Sequence, residues 1–482
     1  MIGFEAQHQF PQAGLRRLVF TRASGLARRH IQLADVGKHL LHEFLGPGIQ
    51  RARRLQFPVE FDEQCVQPLL FHFVGPDPEV NARMIAALCT FDSGILILPA
   101  MSLPDHLRVD HPDQLALVAT ALGVAPWVAL DSESNSMFVY REQVCLIQIN
   151  AGGAFFVIDP LALGVVAGQT PSTVLEPLRA ELERTDRPLY LHGGEYDAAC
   201  MRRDFAIAMG GVWDTQQAAS LLGWPKTGYG SLVEAMTGVV LGKAWATYDW
   251  ATRPLHPEAL AYAIDDVVYL PGIAATLKAA VAAADIEDEV GQANRVVAAS
   301  GWNGGFDPAG MWRIRDVNAL GPDGLRVLAR LYAWRDGAAQ AENLPAGRMI
   351  NNEVMGLIAR HPPVTLADLR KSRLKGYIVD RYGNALLEAM ALATGDPVPV
   401  RLAFLRLTPE AQAREQRLKT WRRDEAERRT KADGRTVPLQ LVLPARALEH
   451  LTLHGAGDLA AVPQLGARRA ARYGDALLGV CG

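Results

Sequence analysis

Residues 127–150, WVALDSESNSMFVYREQVCLIQIN, leave few folding choices for the middle of this chain. An apolar run from Trp127 to Leu130 ends on Asp131, and Glu133 follows two positions later. Residues 144–149 and 154–158 are two further runs rich in Val, Ile and Phe, broken by Gly and polar residues. Such runs read as buried strands. Side chains at i and i+2 of a strand point to the same side, so Asp131 and Glu133 are expected to project together. Two carboxylates aimed one way repel each other, and a divalent cation between them is the usual resolution.

The 482 residues exceed what one core supports, and about two to four domains are expected. A hydrophobic content of 49% with 21% charged residues is that of an ordinary soluble globular protein. The formal charge of -3 supplies no global field, so any contact with nucleic acid must come from local basic patches. The five cysteines, Cys65, Cys89, Cys145, Cys200 and Cys481, form no CxxC pair. That argues for a reducing, cytoplasmic setting and against zinc or disulfide frameworks. No uninterrupted apolar run approaches the ~18–20 residues of a membrane span, and no membrane partner is expected.

Residues 12–30 are rich in Arg and free of acids, which superficially resembles a transit peptide. The arginine excess runs through the whole chain, however, and Met101 opens a natural-looking start shortly before the first strand. Residues 1–100 are therefore expected to be an N-terminal extension, with the functional enzyme beginning near Met101. Beyond the three strands, a helix is expected over 172–183, kinked or delayed by Pro177. A strand over 188–191 delivers His192, Gly193, Gly194 and a helix containing Asp197. Asp214 and Thr215 are expected to cap a helix over 216–222. A polar connection, 226–230, leads to a short amphipathic helix over 232–236. A long helix over 257–270 carries Tyr262 and Asp266 on one face and is broken or kinked at Pro271. This alternation predicts an α/β domain over 101–298.

A Gly-rich joint, 301–310, precedes a helical region with an internal repeat. Leu331, Trp334 and Arg335 are echoed by Leu418, Trp421 and Arg422, and Arg381-Tyr382-Gly383 by Arg472-Tyr473-Gly474. The Trp-to-Tyr interval is similar in both copies, so the repeat has the size of a small domain. Both Trp residues are expected in bundle cores. Residues 394–409 read as a linker, and the mixed-sign helix 414–431 as exposed. The basic clusters Arg370, Lys371 to Lys375 and Arg468 to Arg472 read either as phosphate grips or as solvated faces.

Each carboxylate is weak evidence alone, but the order of the segments is not. ALDSES, HGGEYD and YAIDDVVYL resemble, in order, the three exonuclease motifs of the DEDD superfamily, and the Tyr places the chain in its DEDDy branch. The sequence is most similar to the ribonuclease D family, through Leu146-Ile147-Gln148, Trp213-Asp214-Thr215, Leu221-Leu222-Gly223, Asp249-Trp250 and Arg253-Pro254-Leu255. The helical repeats resemble helicase-and-RNase-D C-terminal (HRDC) domains. Ser134 stands where an aromatic residue or Thr often follows the Glu, and the second repeat is the more divergent.

The resemblance implies an α/β, ribonuclease H-like domain with a mixed sheet over 101–298 and all-α HRDC bundles over 322–394 and 410–482. It implies a metal-dependent 3′→5′ exoribonuclease that trims tRNA precursors or other small structured RNAs and releases 5′-mononucleotides. Alternatives are a DNA 3′→5′ repair exonuclease acting on single strands and a nucleic-acid tether built on the HRDC bundles. Two divalent cations, Mg²⁺ or Mn²⁺, would be held by Asp131, Glu133, Asp197 and Asp266, with Tyr262 orienting the attacking water. His192 would contact a substrate phosphate or be a hydrogen-bonded strand-end residue, and Asp214 would be a structural cap.

Overall fold

The computed structural model describes residues 104–482, apart from 169, 170, 303 and 402–406, so the expectation for residues 1–100 lies outside the described residues. The unit Asp105–Gly482 is described here. It opens with strand β1 (His106–Val109), helix α1 (Leu115–Val124), and strands β2 (Val128–Ser134), β3 (Val144–Ala151) and β4 (Ala154–Ile158). Helices α2 (Pro160–Ala167), α3 (Pro171–Val174) and α4 (Glu176–Leu182) follow; the 172–183 helix is split ahead of Pro177, which sits in the first turn of α4. Strand β5 (Leu189–Leu191), helix α5 (Glu195–Phe205), strand β6 (Val212–Asp214) and helices α6 (Thr215–Leu221) and α7 (Tyr229–Thr237) come next. Helices α8 (Pro257–Val268), α9 (Leu270–Ala283) and α10 (Glu287–Ala298) complete the α/β part.

The strands form one mixed sheet in the order β1-β4-β3-β2-β5-β6. β3 is antiparallel to β2 and β4, whereas β1 with β4, β2 with β5, and β5 with β6 run parallel. β3 is buried along its whole length, which explains its mostly apolar composition, with Gln148 and Asn150 as its buried polar residues. The short strands β1 and β6 were not legible, because HLRV and VWD give too little alternation to count. β2 runs on past its opening apolar run through Ser134, with a register shift at Glu133/Ser134, so Asp131 and Glu133 both lie within the strand.

Helices α8 and α9 together, Pro257–Ala283, are long and apolar enough to cross a membrane by length and composition. Here α8 lies on β2 and β3 and α9 on β5, the place of a core helix. Their apolar side chains Ala259, Ala263, Ile264, Leu270 and Ala274 are buried in that packing.

Two helical bundles follow. The first contains α11 (Pro322–Glu342), α12 (Ala346–Met349), α13 (Asn352–Arg360), α14 (Leu366–Arg370) and α15 (Gly376–Leu392). The second contains α16 (Pro409–Asp433), α17 (Leu439–Val442), α18 (Ala445–His454) and α19 (Ala467–Cys481). Trp334 meets Tyr382 edge-on at 5.7 Å in one, and Trp421 meets Tyr473 edge-on at 5.5 Å in the other. The sequence repeat is thus a repeated packing contact.

The first bundle docks on the 135–143 loop. Tyr140 donates to Asp336 at 2.9 Å, and the Arg141 backbone N–H donates to Asn343 at 3.0 Å. The second bundle shares a hydrophobic core with α6, α7, α9 and α10, in which Ala218, Leu221, Ile273 and Val290 meet Leu418, Leu441 and Leu477. This takes Arg469 out of the phosphate-grip reading of the 468–472 cluster. Arg468 pairs with Asp285 at 2.8 Å, and Arg469 is buried, donating to the backbone oxygens of Leu441, Gln464, Leu465 and Gln440.

Candidate active site and its acidic cluster

The pleat of β2 turns Ala129, Asp131 and Glu133 to the side covered by α8 and α9, where Ala129 packs with Val267 and Leu270. Helix α8 starts cleanly. His256 caps it by accepting from the Glu258 N–H, and Pro257 occupies the first turn, where its missing N–H costs nothing. Asp266 therefore arrives over the strand from the opposite element. Carboxylate oxygens of Asp131, Glu133 and Asp266 all lie within 4.8 Å of one another.

Asp197 reaches the site from α5. The preceding turn needs glycine twice: Gly193 has φ +66°, and a Cβ on Gly194 would sit 2.5 Å from the Leu191 side chain. Asp214 secures both ends of this arrangement, accepting from Gly194 N–H at 2.7 Å and from Gln217 N–H at 2.9 Å as the cap of α6. Ser132 donates its hydroxyl to Asp197 at 2.5 Å, which holds the buried carboxylate toward β2.

Burial and mutual repulsion both oppose ionisation here. Asp131 is held well above the usual carboxylate range, by desolvation first and then by Asp197, Asp266 and Glu133. Glu133 is pushed up to about 8 by desolvation and by Asp266 and Asp197. Asp266 rises to about 7 through desolvation, Asp265 and Asp197. Asp197 rises to about 6, its desolvation partly offset by the Ser132 hydroxyl. Four hard oxygen donors that destabilise one another's charge are a donor set made for divalent cations. Tyr262, one turn before Asp266, stacks on Trp250 at 6.3 Å. Desolvation and the three nearby carboxylates push its phenol up to about 12, which keeps it protonated at neutral pH and available as an O–H donor.

His192 is not beside the carboxylates as a cation. Its Nδ1 lies 2.8 Å from the Thr215 hydroxyl, whose own proton goes to the Leu191 carbonyl. Nδ1 therefore carries the ring proton, and the buried Nε2 is left as an acceptor, which suits a strand-end residue better than a phosphate contact. Burial also lowers its pKa to about 4. Arg370, Lys371 and Lys375 lie on the exposed surface of the first bundle. Arg370 pairs with Asp380, Lys371 with Asp368, and Lys375 lies over the Tyr377 ring.

Sequence reasoning gave Arg253 no individual role. Its guanidinium grips the fully buried Asp159 at 2.7 and 2.8 Å and the Cys145 carbonyl at 2.9 Å, pinning the segment before α8 to β3 and the end of β4. The RPL motif was the available signal, but its partner lies 94 residues away.

The mixed six-stranded sheet carries an acidic cluster between β2 and α8, with Asp197 of α5 close by, and the family matches make this a metal-dependent 3′–5′ exonuclease domain. The family described as 3′-5′ exonuclease matches residues 108–282, and the HRDC domain family matches residues 324–390. A ribonuclease D from Sphingobium indicum is 31% identical over 294 residues, which span 59% of this chain and 72% of the relative. A ribonuclease D from Zymomonas mobilis is 33% identical over 293 residues, with 59% and 72% covered. The crystal structure of Escherichia coli RNase D aligns at TM-score 0.59 and 26% identity, covering 78% of this chain and 98% of that one. The chain belongs to the ribonuclease D family. It is a hydrolase with a nucleic-acid substrate and a need for divalent metal.

Proposed function

We propose that this enzyme trims the 3′ ends of tRNA precursors or other small structured RNAs, one 5′-mononucleotide at a time. The reaction is 3′→5′ exoribonucleolysis. The Escherichia coli structure, described as an exoribonuclease involved in structured RNA processing, supports the substrate class. The observation that carries the reading is the convergence of Asp131, Glu133 and Asp266 from two elements, with Asp197 near enough to oppose their ionisation and Tyr262 one turn before Asp266.

Asp131 would serve both cations, Glu133 and Asp266 would complete one site, and Asp197 the other, with Mg²⁺ or Mn²⁺ as occupants. When bound, such cations neutralise charge building on the phosphoryl group and make water a nucleophile near neutral pH. Tyr262 donates its hydroxyl to the attacking water and sets its line of approach, since a phenol held near 12 is a poor base at neutral pH. Ser132 keeps Asp197 turned toward β2, and Arg253 fixes the approach to α8 so that Tyr262 and Asp266 keep their aim.

The second bundle is a divergent HRDC domain in this reading, supported by the repeated Trp–Tyr contact. Arg370, Lys371 and Lys375 are exposed and able to exchange their surface partners for RNA phosphates. A cytoplasmic setting is supported by Cys145, Cys200 and Cys481 as buried free thiols. The test uses 5′-labelled RNA and DNA oligonucleotides with Mn²⁺, Mg²⁺ or EDTA, beside Asp197→Ala. A metal-dependent ladder on RNA, lost in the variant, is expected. A ladder on DNA alone would make it a repair exonuclease, and binding without cleavage a tether.

A further inference from the structure

Gln148 is 0% exposed, and neither its Oε1 nor its Nε2 has a hydrogen-bond partner. In the β2–β3 ladder it stands opposite Asp131. Directly opposed residues of an antiparallel pair share a face, with Cβ atoms roughly 4.5–5.5 Å apart, so a glutamine side chain there reaches its neighbour's carboxylate. The flanking residues fix which face this is. Asn150 donates to the Val267 carbonyl of α8 at 3.1 Å, and Leu146 packs in one cluster with Ala263 and Ile264. Gln148 is thus enclosed between the strand bearing Asp131 and the helix bearing Asp266.

A buried amide with no partner destabilises the fold, and Leu or Met would fill the same space without that penalty. An amide held there at a cost is explained by a bond made in another state of the site. We propose that Gln148 is a positioning residue: its Nε2–H donates to the Asp131 carboxylate when the cations are bound and fixes the orientation in which Asp131 serves both. The inference rests on reading the carboxylates as cation ligands. An ionised carboxylate offers about four lone-pair sites, and those not taken by cations need a donor if the group is not to rotate. Gln148 is the donor that the register of the sheet supplies.

The test compares full-length wild type, Gln148→Leu and Gln148→Met, with far-UV circular dichroism as a check of folding. Mn²⁺ binding is read from the electron-spin resonance of the free ion, and thermal midpoints are taken in EDTA. Both variants are expected to fold, with metal-free midpoints no lower than wild type and Mn²⁺ affinity about 10–100-fold weaker. At saturating Mn²⁺, kcat on RNA should fall while KM stays unchanged. Wild-type affinity in both variants would overturn the proposal. So would metal-free midpoints lowered in both, since the amide would then belong to the unloaded fold. A wild-type chain that trims RNA but binds no Mn²⁺, or does neither, would instead overturn the cation-site reading beneath it.

Discussion

The Ser132 hydroxyl, on the residue between Asp131 and Glu133, donates to Asp197 across 65 positions of sequence. The strand that carries two acids thereby orients a third on a different element. Hydrogen bonds to charged groups contribute about 1.5–3 kcal/mol, so Ser132→Ala should lower kcat roughly tenfold or more with a normal fold. Steady-state kinetics with a melting curve checks this.

The acidic cluster makes stability depend on metal and pH together. Glu133, Asp266 and Asp197, at about 8, 7 and 6, bind protons in the metal-free fold at pH values where the unfolded chain does not. Stability of the metal-free fold therefore falls as pH rises from about 4.5 toward 8. Bound cations hold the carboxylates ionised and remove this slope. The rise in thermal midpoint on replacing EDTA with Mn²⁺ should be larger at pH 8 than at pH 5.5, as scanning fluorimetry at the two pH values would show.

Tyr262→Phe keeps the ring on Trp250 and removes only the hydroxyl. Misaligned attack costs on the order of 10²-fold, so kcat should fall by about that much. The Mn²⁺-induced rise in midpoint should stay as in wild type, which separates water alignment from cation binding.

Arg253→Met leaves Asp159 buried, with the partly exposed Arg108 at 3.5 Å as its remaining cation. Removing one partner of a buried pair costs about 3–5 kcal/mol, and Arg108 should reduce that loss to roughly 2–3 kcal/mol. Urea unfolding would measure it, and activity should fall too, because the segment before α8 loosens.

A chain ending at residue 395 should not behave as a trimmed enzyme. It would uncover Ala219, Leu221, Leu222, Leu277 and Val281, which the second bundle covers in the shared core. Increased binding of a hydrophobic dye and a lower thermal midpoint are expected relative to the full chain.

Periodicity and capping are written into short stretches, and these were readable from the sequence. Alternation put Asp131 and Glu133 on one face, Asp214 at a helix start and Tyr262 one turn from Asp266, because each depends on neighbours within a few residues. The interiors of β3 and β4 were equally plain. The repeat of Trp and Tyr marked two bundles, and in each the two rings pack edge-on. Short β1 and β6 carry no such pattern and become strands only through the edges they pair with.

Partners far apart in sequence were decided by tertiary structure alone. Composition could not show that Arg469 is buried against the backbone of its own bundle, that Arg253 closes on Asp159, or that register sets Gln148 opposite Asp131. The physical reason is common to all three. A charge or an amide has no fixed role until packing decides how much water it keeps and which partner replaces the water it loses.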